Sequence, residues 1–144
     1  RVEDVSCVVN THLHSDHVGS NFIFRGKPLL IHKNEIKSRN LTEIMRAYIA
    51  PMEVREIKGN TQVTDDVSII ETPGHTPGSV TVMANTPQGL VAIAGDTIMA
   101  KEHFLERRLP EWEPNKEQIF KMMDRIESFK PKIIVPGHDS PFNL

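Results

Sequence analysis

Four side chains able to bind a metal crowd into the hexapeptide His12-Leu13-His14-Ser15-Asp16-His17, directly after the apolar run Val5 to Asn10. That run is too short for a core helix and rich in β-branched residues, so it reads as a buried strand, and the ligand types begin where the strand ends. In extended chain, side chains two apart point to the same side, roughly 6.6 Å apart along the strand. His12 and His14 can therefore converge on one cation. Ser15 and Asp16 favour a turn, with Gly19 close behind, and a turn there aims Asp16 and His17 at a second, neighbouring position. Imidazole and carboxylate donors suit zinc, with iron or manganese as alternatives, and the lack of cysteine in the cluster argues against a structural thiolate site. Taken alone, His32 and His103 read as ordinary surface or core histidines.

The same grammar recurs three more times. Thr72-Pro73-Gly74-His75-Thr76-Pro77-Gly78-Ser79 lies between the apolar runs Val67 to Ile70 and Val80 to Met83. Proline fixes φ and glycine lets the backbone come close, so this loop can hold His75 in one orientation. Ala92-Ile93-Ala94-Gly95-Asp96-Thr97 ends another apolar run with a carboxylate, and Ile133-Ile134-Val135-Pro136-Gly137-His138-Asp139 ends a fourth with a histidine. Ligands distant in sequence can meet in this way at one edge of a sheet, on loops held by a rigid scaffold.

These motifs, in this order and with these neighbours, resemble the metallo-β-lactamase superfamily over Val5 to His138. The resemblance implies an α/β (α+β) fold, the αββα sandwich. It also implies two divalent metal ions, zinc before iron or manganese, with His12, His14 and His75 on one, Asp16, His17 and His138 on the other, and Asp96 bridging. Departures narrow the function. Asp96 stands where many zinc β-lactamases carry cysteine, which argues against antibiotic hydrolysis. After Asp96 the chain reads Thr97-Ile98-Met99-Ala100, not the glycine-cysteine-glycine-arginine signature of glyoxalase II and the persulfide dioxygenases, which argues against a glutathione substrate. A looser similarity, through Pro136 to Phe142 and the acidic, tryptophan-bearing stretch after Asp96, is to an animal metallo-β-lactamase-domain protein proposed as a nuclease. The resemblance also places several strands ahead of the metal loop, whereas this chain begins at Arg1. The expectation is one catalytic domain over residues 1–144, N-terminally incomplete, with exposed sheet edges that favour association, a homo-oligomer among the outcomes.

Composition limits the partners. With 17 basic and 19 acidic residues in 144, the net charge of −2 offers no large basic field, so a small-molecule substrate fits better than nucleic acid. The single cysteine, Cys7, sits in the first apolar run and reads as a buried structural thiol. No apolar stretch approaches the roughly 18 residues of a spanning helix and no signal-peptide pattern opens the chain, so the expected setting is cytoplasmic, with no membrane partner.

Periodicity gives a coarse architecture: a short helix over Val18 to Phe24, a strand over Pro28 to Ile31, and helix from Asn34 to Ile49 broken near Asn40. Strands over Val54 to Ile57, Val67 to Glu71, Ser79 to Asn85 and Leu90 to Ala94 suggest one sheet of hairpins. The clearest helix spans Asn115 to Phe129, with Ile119, Met122, Met123, Ile126 and Phe129 at helical spacing and Pro114 and Asn115 at its start. Lys132 to Pro136 is the last strand.

The resulting expectation is a metal-dependent hydrolase in which a hydroxide bridging two metal ions attacks a small ester, lactone or thioester, with Asp16 as the catalytic group that orients it and takes its proton. A phosphodiesterase or nuclease and a non-catalytic metal-binding module are the competing readings. Lys101 to Glu113 has no clear periodicity and reads as a substrate loop, with Lys101, His103, Arg108 and Trp112 as the binding candidates. Thr11, Thr76 and Thr97 flank ligands and can support them by hydrogen bonding.

Overall fold

The computed structural model describes residues 1–113 and 115–144, so the expected helix-start role of Pro114 lies outside the described residues. Two sheets form. β1 (Val8–Val9), β2 (Pro28–His32) and β3 (Glu53–Ile57) make a parallel sheet in that order. β4 (Thr61–Gln62), β5 (Val67–Glu71), β6 (Val80–Thr86), β7 (Gly89–Gly95), β8 (Ile133–Pro136) and β9 (Phe142–Asn143) make the larger one, antiparallel except for the parallel pair β7 and β8. The crossover between those two carries α4 (Lys101–Leu105) and α5 (Lys116–Ser128), while α1 (Ser15–Val18), α2 (Lys33–Ile36) and α3 (Glu43–Ile49) lie along the first half of the chain.

Strand alternation sorts the apolar residues into layers. Ile69 and Val82 join Ile57, Leu30 and Val9 between the two sheets. Their neighbours Ile70 and Met83 point to the opposite face, onto Ile119, Met123 and Ile126 of α5. On the small sheet, Leu29 and Ile31 turn away from Leu30 and pack with Ile49 and Leu41. Side chains alternate across a strand, so each sheet buries one face on its partner sheet and the other under helices, which gives the expected αββα order. Each fully buried Ile or Met contributes about 1.5–3 kcal/mol by leaving water.

Several expectations need correction. Only Val8–Val9 of the first apolar run pairs as strand, Val2–Asp4 is a 3-10 turn, and Cys7 lies before the strand and is only half-buried. The helix expected over Val18 to Phe24 is two pieces, α1 ending at Val18 and a 3-10 turn over Asn21–Phe24, because Gly19 and Ser20 break the run. The single sheet of hairpins is two sheets. Val54 to Ile57 pairs in parallel with β2, and a short apolar run bounded by turns does not reveal its partner. β4 and β9 are two residues each, too short to leave a pattern. In α5 the stripe is buried at Ile119, Met123 and Ile126, whereas Phe129, expected on it, caps the helix and is 45% exposed. The segment expected to be an irregular loop begins with α4, because Phe104 buries into the core and draws a helical turn with it. Among the described residues no helix is long and apolar enough to cross a membrane.

Candidate metal centre

Antiparallel pairing puts the end of β5, the start of β6 and the end of β7 at one edge of the large sheet, and parallel pairing brings the end of β8 to the same edge. The β1 loop is tied there by the Val80 amide, which donates to the Thr11 carbonyl at 2.9 Å. The Gly137 and His138 amides donate to the carbonyls of Ile98 and Met99 at 3.0 and 2.8 Å, which fixes the last loop against the turn that follows Asp96. Gly95 turns that corner at φ 50°, where a side chain would be strained and a Cβ would press Thr11 Oγ1 at 2.5 Å.

Seven side chains converge on this edge in two groups: His12, His14, His75 and Asp96, then Asp16, His17 and His138. In the first, His14 Nδ1 lies 3.1 Å from His12 Nε2 and 3.0 Å from His75 Nε2. Asp96 Oδ2 lies 3.3 Å from His75 Nε2 and 3.9 Å from His12 Nε2. In the second, His17 Nε2 is 3.3 Å from His138 Nε2, and Asp16 Oδ2 is 3.5 and 3.6 Å from those two nitrogens. Asp96 reaches this group as well, Oδ1 at 3.2 Å from His17 Nε2 and Oδ2 at 3.2 Å from His138 Nε2. A tetrahedral zinc with bonds of about 2.0–2.1 Å needs donor atoms roughly 3.3 Å apart. Both groups have edges near that length, and among the described residues Asp96, grouped with His12, His14 and His75, also comes within 3.2 Å of His17 and His138. Asp96 Oδ1 is buried with no aligned hydrogen-bond donor, which a cation would remedy.

Electrostatics agree with this geometry. Burial, with His17 beside it, pushes the His12 imidazole down to about 2, so the ring is neutral and its nitrogen lone pair is free. His14 is lowered too, by burial and by His75. Burial alone would raise the Asp96 carboxyl, but His17, His12 and His75 around it prevail and hold it well below the ordinary range. Contact with Asp96 raises His17.

Two buried carboxylates, not singled out by sequence, support the first group. Glu113 is 2% exposed and its Oε2 accepts from His75 Nδ1 at 2.8 Å. With the proton on Nδ1, the His75 lone pair on Nε2 faces Asp96 and His14. Glu35 is 3% exposed and accepts from the amides of Leu13 and Gly78. Single carboxylates leave no pattern in the chain. Glu113 lies next to Trp112 in the stretch marked as a substrate loop, but nothing local tied it to His75. Of the flanking threonines, Thr11 Oγ1 lies 3.3 Å from His12 Nδ1 and touches a site residue. Thr76 pairs with Ser79 at 2.7 Å, and Thr97 donates to Thr72, so these two brace the loop. Exchanging Glu113 for glutamine keeps its shape and removes its charge. Zinc affinity, measured by chelator competition, is expected to fall about tenfold, the scale usual for loss of a partner behind a metal-binding histidine; parent-like affinity would separate Glu113 from the site.

The four substrate candidates stand apart from the seven. Lys101 opens α4, its amide donates to Asp139 at 3.1 Å, and its ammonium lies 5.7 Å from the Phe142 ring centre. His103 Nδ1 is buried and has no hydrogen-bond partner among the described residues. Arg108 pairs with Glu106 at 3.1 Å, and Trp112 is 66% exposed. Among the described residues none of these side chains shares a hydrogen bond or ion pair with the clustered residues. A cleft does open beside the first group, with His14 and His75 in its wall and Leu13, Leu41, Met45 and Pro77 supplying apolar surface.

Comparison with known proteins agrees with this picture. A family model described as the metallo-beta-lactamase superfamily matches residues 1–138. An N-acyl homoserine lactonase of Bacillus cereus is 30% identical over 143 residues, covering 95% of this chain and 57% of that protein. An N-acyl homoserine lactonase of Bacillus thuringiensis is 31% identical over 144 residues, with the same coverage of 95% and 57%. Among solved structures, an N-acyl homoserine lactone hydrolase with the product N-hexanoyl-L-homoserine at its catalytic metal centre superposes with a TM-score of 0.81 at 27% identity, over 96% of this chain and 58% of that one. The chain thus spans about 57% of the length of the curated lactonases it matches.

Proposed function

This chain belongs to the metallo-β-lactamase superfamily, and we propose that it carries the catalytic centre of a two-metal hydrolase of small lactones, esters or thioesters, with N-acyl homoserine lactones the first class to test. One observation carries the reading: Asp96 lies within 3.2–3.3 Å of His75, His17 and His138, and so joins two ligand groups whose edges suit zinc. Relatives that act on N-acyl homoserine lactones over 95% of this chain support the substrate class.

On this reading His12, His14, His75 and Asp96 hold one ion, and Asp16, His17, His138 and Asp96 the other. Zinc suits these donors best, with iron and manganese as alternatives. Bound there, such a pair would supply hydroxide at neutral pH and a Lewis acid for the scissile carbonyl. The chain's own residues do the rest. Burial favours the neutral form of His12, the form in which an imidazole binds a metal. Glu113 fixes the ring of His75. Asp16, whose side chain is 57% exposed and 3.5 Å from His17, would orient the attacking water and take its proton on this reading. The apolar wall of Leu41, Met45 and Pro77 beside His14 and His75 suits an uncharged substrate part. Trp112, exposed next to Glu113, is a rim residue on this reading, and Lys101, His103 and Arg108 are more distant candidates.

The test is zinc-loaded protein assayed on an N-acyl homoserine lactone, a thioester and a phosphodiester reporter in parallel. Lactone opening well above the other two is expected. Phosphodiester cleavage alone would move the protein to the nuclease reading, and two bound zinc ions with no hydrolysis would leave a metal-binding module.

A further inference from the structure

We propose that Glu35 is a positioning residue that sets the separation of the two loops carrying His12, His14 and His75, and through it the affinity of the first metal group. The inference rests on the reading of that group as metal ligands. Glu35 sits in α2, away from every ligand motif, and is 3% exposed. Its Oε2 accepts from the Leu13 amide at 3.0 Å, and its Oε1 from the Gly78 amide at 2.8 Å. Leu13 lies between His12 and His14, and Gly78 is in the same loop as His75. One carboxylate therefore holds both loops, an oxygen to each.

Three features argue that this contact does more than fill the core. Among the described residues no cationic side chain forms an ion pair with Glu35, so the two amide donors carry the compensation that a buried carboxylate needs. Gly78 is fitted to it: a Cβ there would meet the Glu35 backbone nitrogen at 2.6 Å and its Oε1 at 2.9 Å. The same helix is fastened to the His75 loop a second time, by Asn34 Nδ2 donating to the Pro77 carbonyl at 3.4 Å. Loop spacing matters because the donor atoms on the two loops, His14 Nδ1 and His75 Nε2, are 3.0 Å apart, close to the edge of a metal tetrahedron. A loop shift of half an ångström would open that edge, and imidazoles joined to the chain by short stems have little freedom to follow.

Glutamine at this position tests the geometry with little change of volume. An amide side chain offers one acceptor and one donor group, so whichever way it turns, one of the two backbone amides faces a donor. In metal-free protein, Glu35→Gln is expected to speed hydrogen exchange at Leu13 or Gly78 while protection in α5 and the large sheet stays. Zinc affinity by chelator competition is expected to fall between ten- and a hundredfold at the tighter site. Ile126→Ala, which weakens the core at a distance, is the comparison for a purely structural loss. Glu35→Asp, one methylene shorter, serves if the glutamine variant fails to fold, with the same loss of affinity expected.

Variants that melt earlier yet bind zinc as the Ile126→Ala protein does would overturn the proposal. The outcome is separable from the proposed function. A parent protein that binds no zinc would sink the metal reading itself, whereas a parent with two zinc ions and unchanged affinity in both Glu35 variants would sink this inference alone.

Discussion

If the parent binds two zinc ions and hydrolyses a lactone, as proposed, Asp96→Ala is expected to bind at most one and to lose about a thousandfold or more of that rate. The reason lies in the position of one carboxylate. Asp96 Oδ2 is within 3.3 Å of His75 and 3.2 Å of His138, and Oδ1 is 3.2 Å from His17, so its removal deprives both groups at once. The effect on stability should depend on metal. Without zinc, alanine removes a buried carboxylate with one unsatisfied oxygen, and the loss of its contacts is offset by the desolvation that no longer has to be met. With zinc present, the parent gains about 4 kcal/mol at a thousandfold excess over the dissociation constant, and the variant loses most of that gain. Elemental analysis of dialysed protein, with melting curves taken with and without zinc, measures both effects. Two retained ions and a parent-like zinc shift would show that Asp96 is not the shared ligand.

The residues that converge here were legible before the fold was known, because each follows an apolar strand at a turn and the four turns share one grammar. Helix α5 was legible for a similar reason: Ile119, Met123 and Ile126 repeat at the spacing of a buried stripe, and all three are fully buried. What could not be read was the pairing between distant segments. The run Glu53–Ile57 looks like any short strand, and only its register with Pro28–His32 shows that it belongs to a parallel sheet across the sandwich from β5 and β6. Glu35 and Glu113 were hidden by the same limit. Their partners lie 22 and 43 residues from Glu35 and 38 from Glu113, and an isolated glutamate in a helix or loop is usually a solvated one. Gly78 is glycine because a helix and its carboxylate lie against it, although the sequence shows only a turn.

Gly137 carries the same logic to its largest expected consequence. It sits between the end of β8 and His138, and a Cβ built on it would run into Asp96 Oδ1 and lie 3.1 Å from the Gly95 carbonyl carbon. Neither side can yield easily. The Gly137 and His138 amides are bonded to the Ile98 and Met99 carbonyls at 3.0 and 2.8 Å, and Gly95 is held at φ 50° against Thr11. Gly137→Ala must therefore displace the shared carboxylate or lift the His138 loop, at a cost of about 1–3 kcal/mol for overpacking. The expected result, on the proposed two-metal reading, is loss of an ion at Asp16, His17 and His138 and a hundredfold or greater fall in hydrolysis, with the α5 core intact. Gly59→Ala is the matched control. A Cβ there meets nothing within 4 Å, and only its φ of +72° is strained, so the change should cost about 1 kcal/mol and leave zinc binding alone. The contrast separates the crowding of a ligand from the general effect of adding a methyl group to a turn. If Gly137→Ala keeps both ions and full activity while Gly59→Ala behaves as expected, the approach of the last loop to Asp96 is looser than these distances require, and the shared-carboxylate geometry would have to be redrawn.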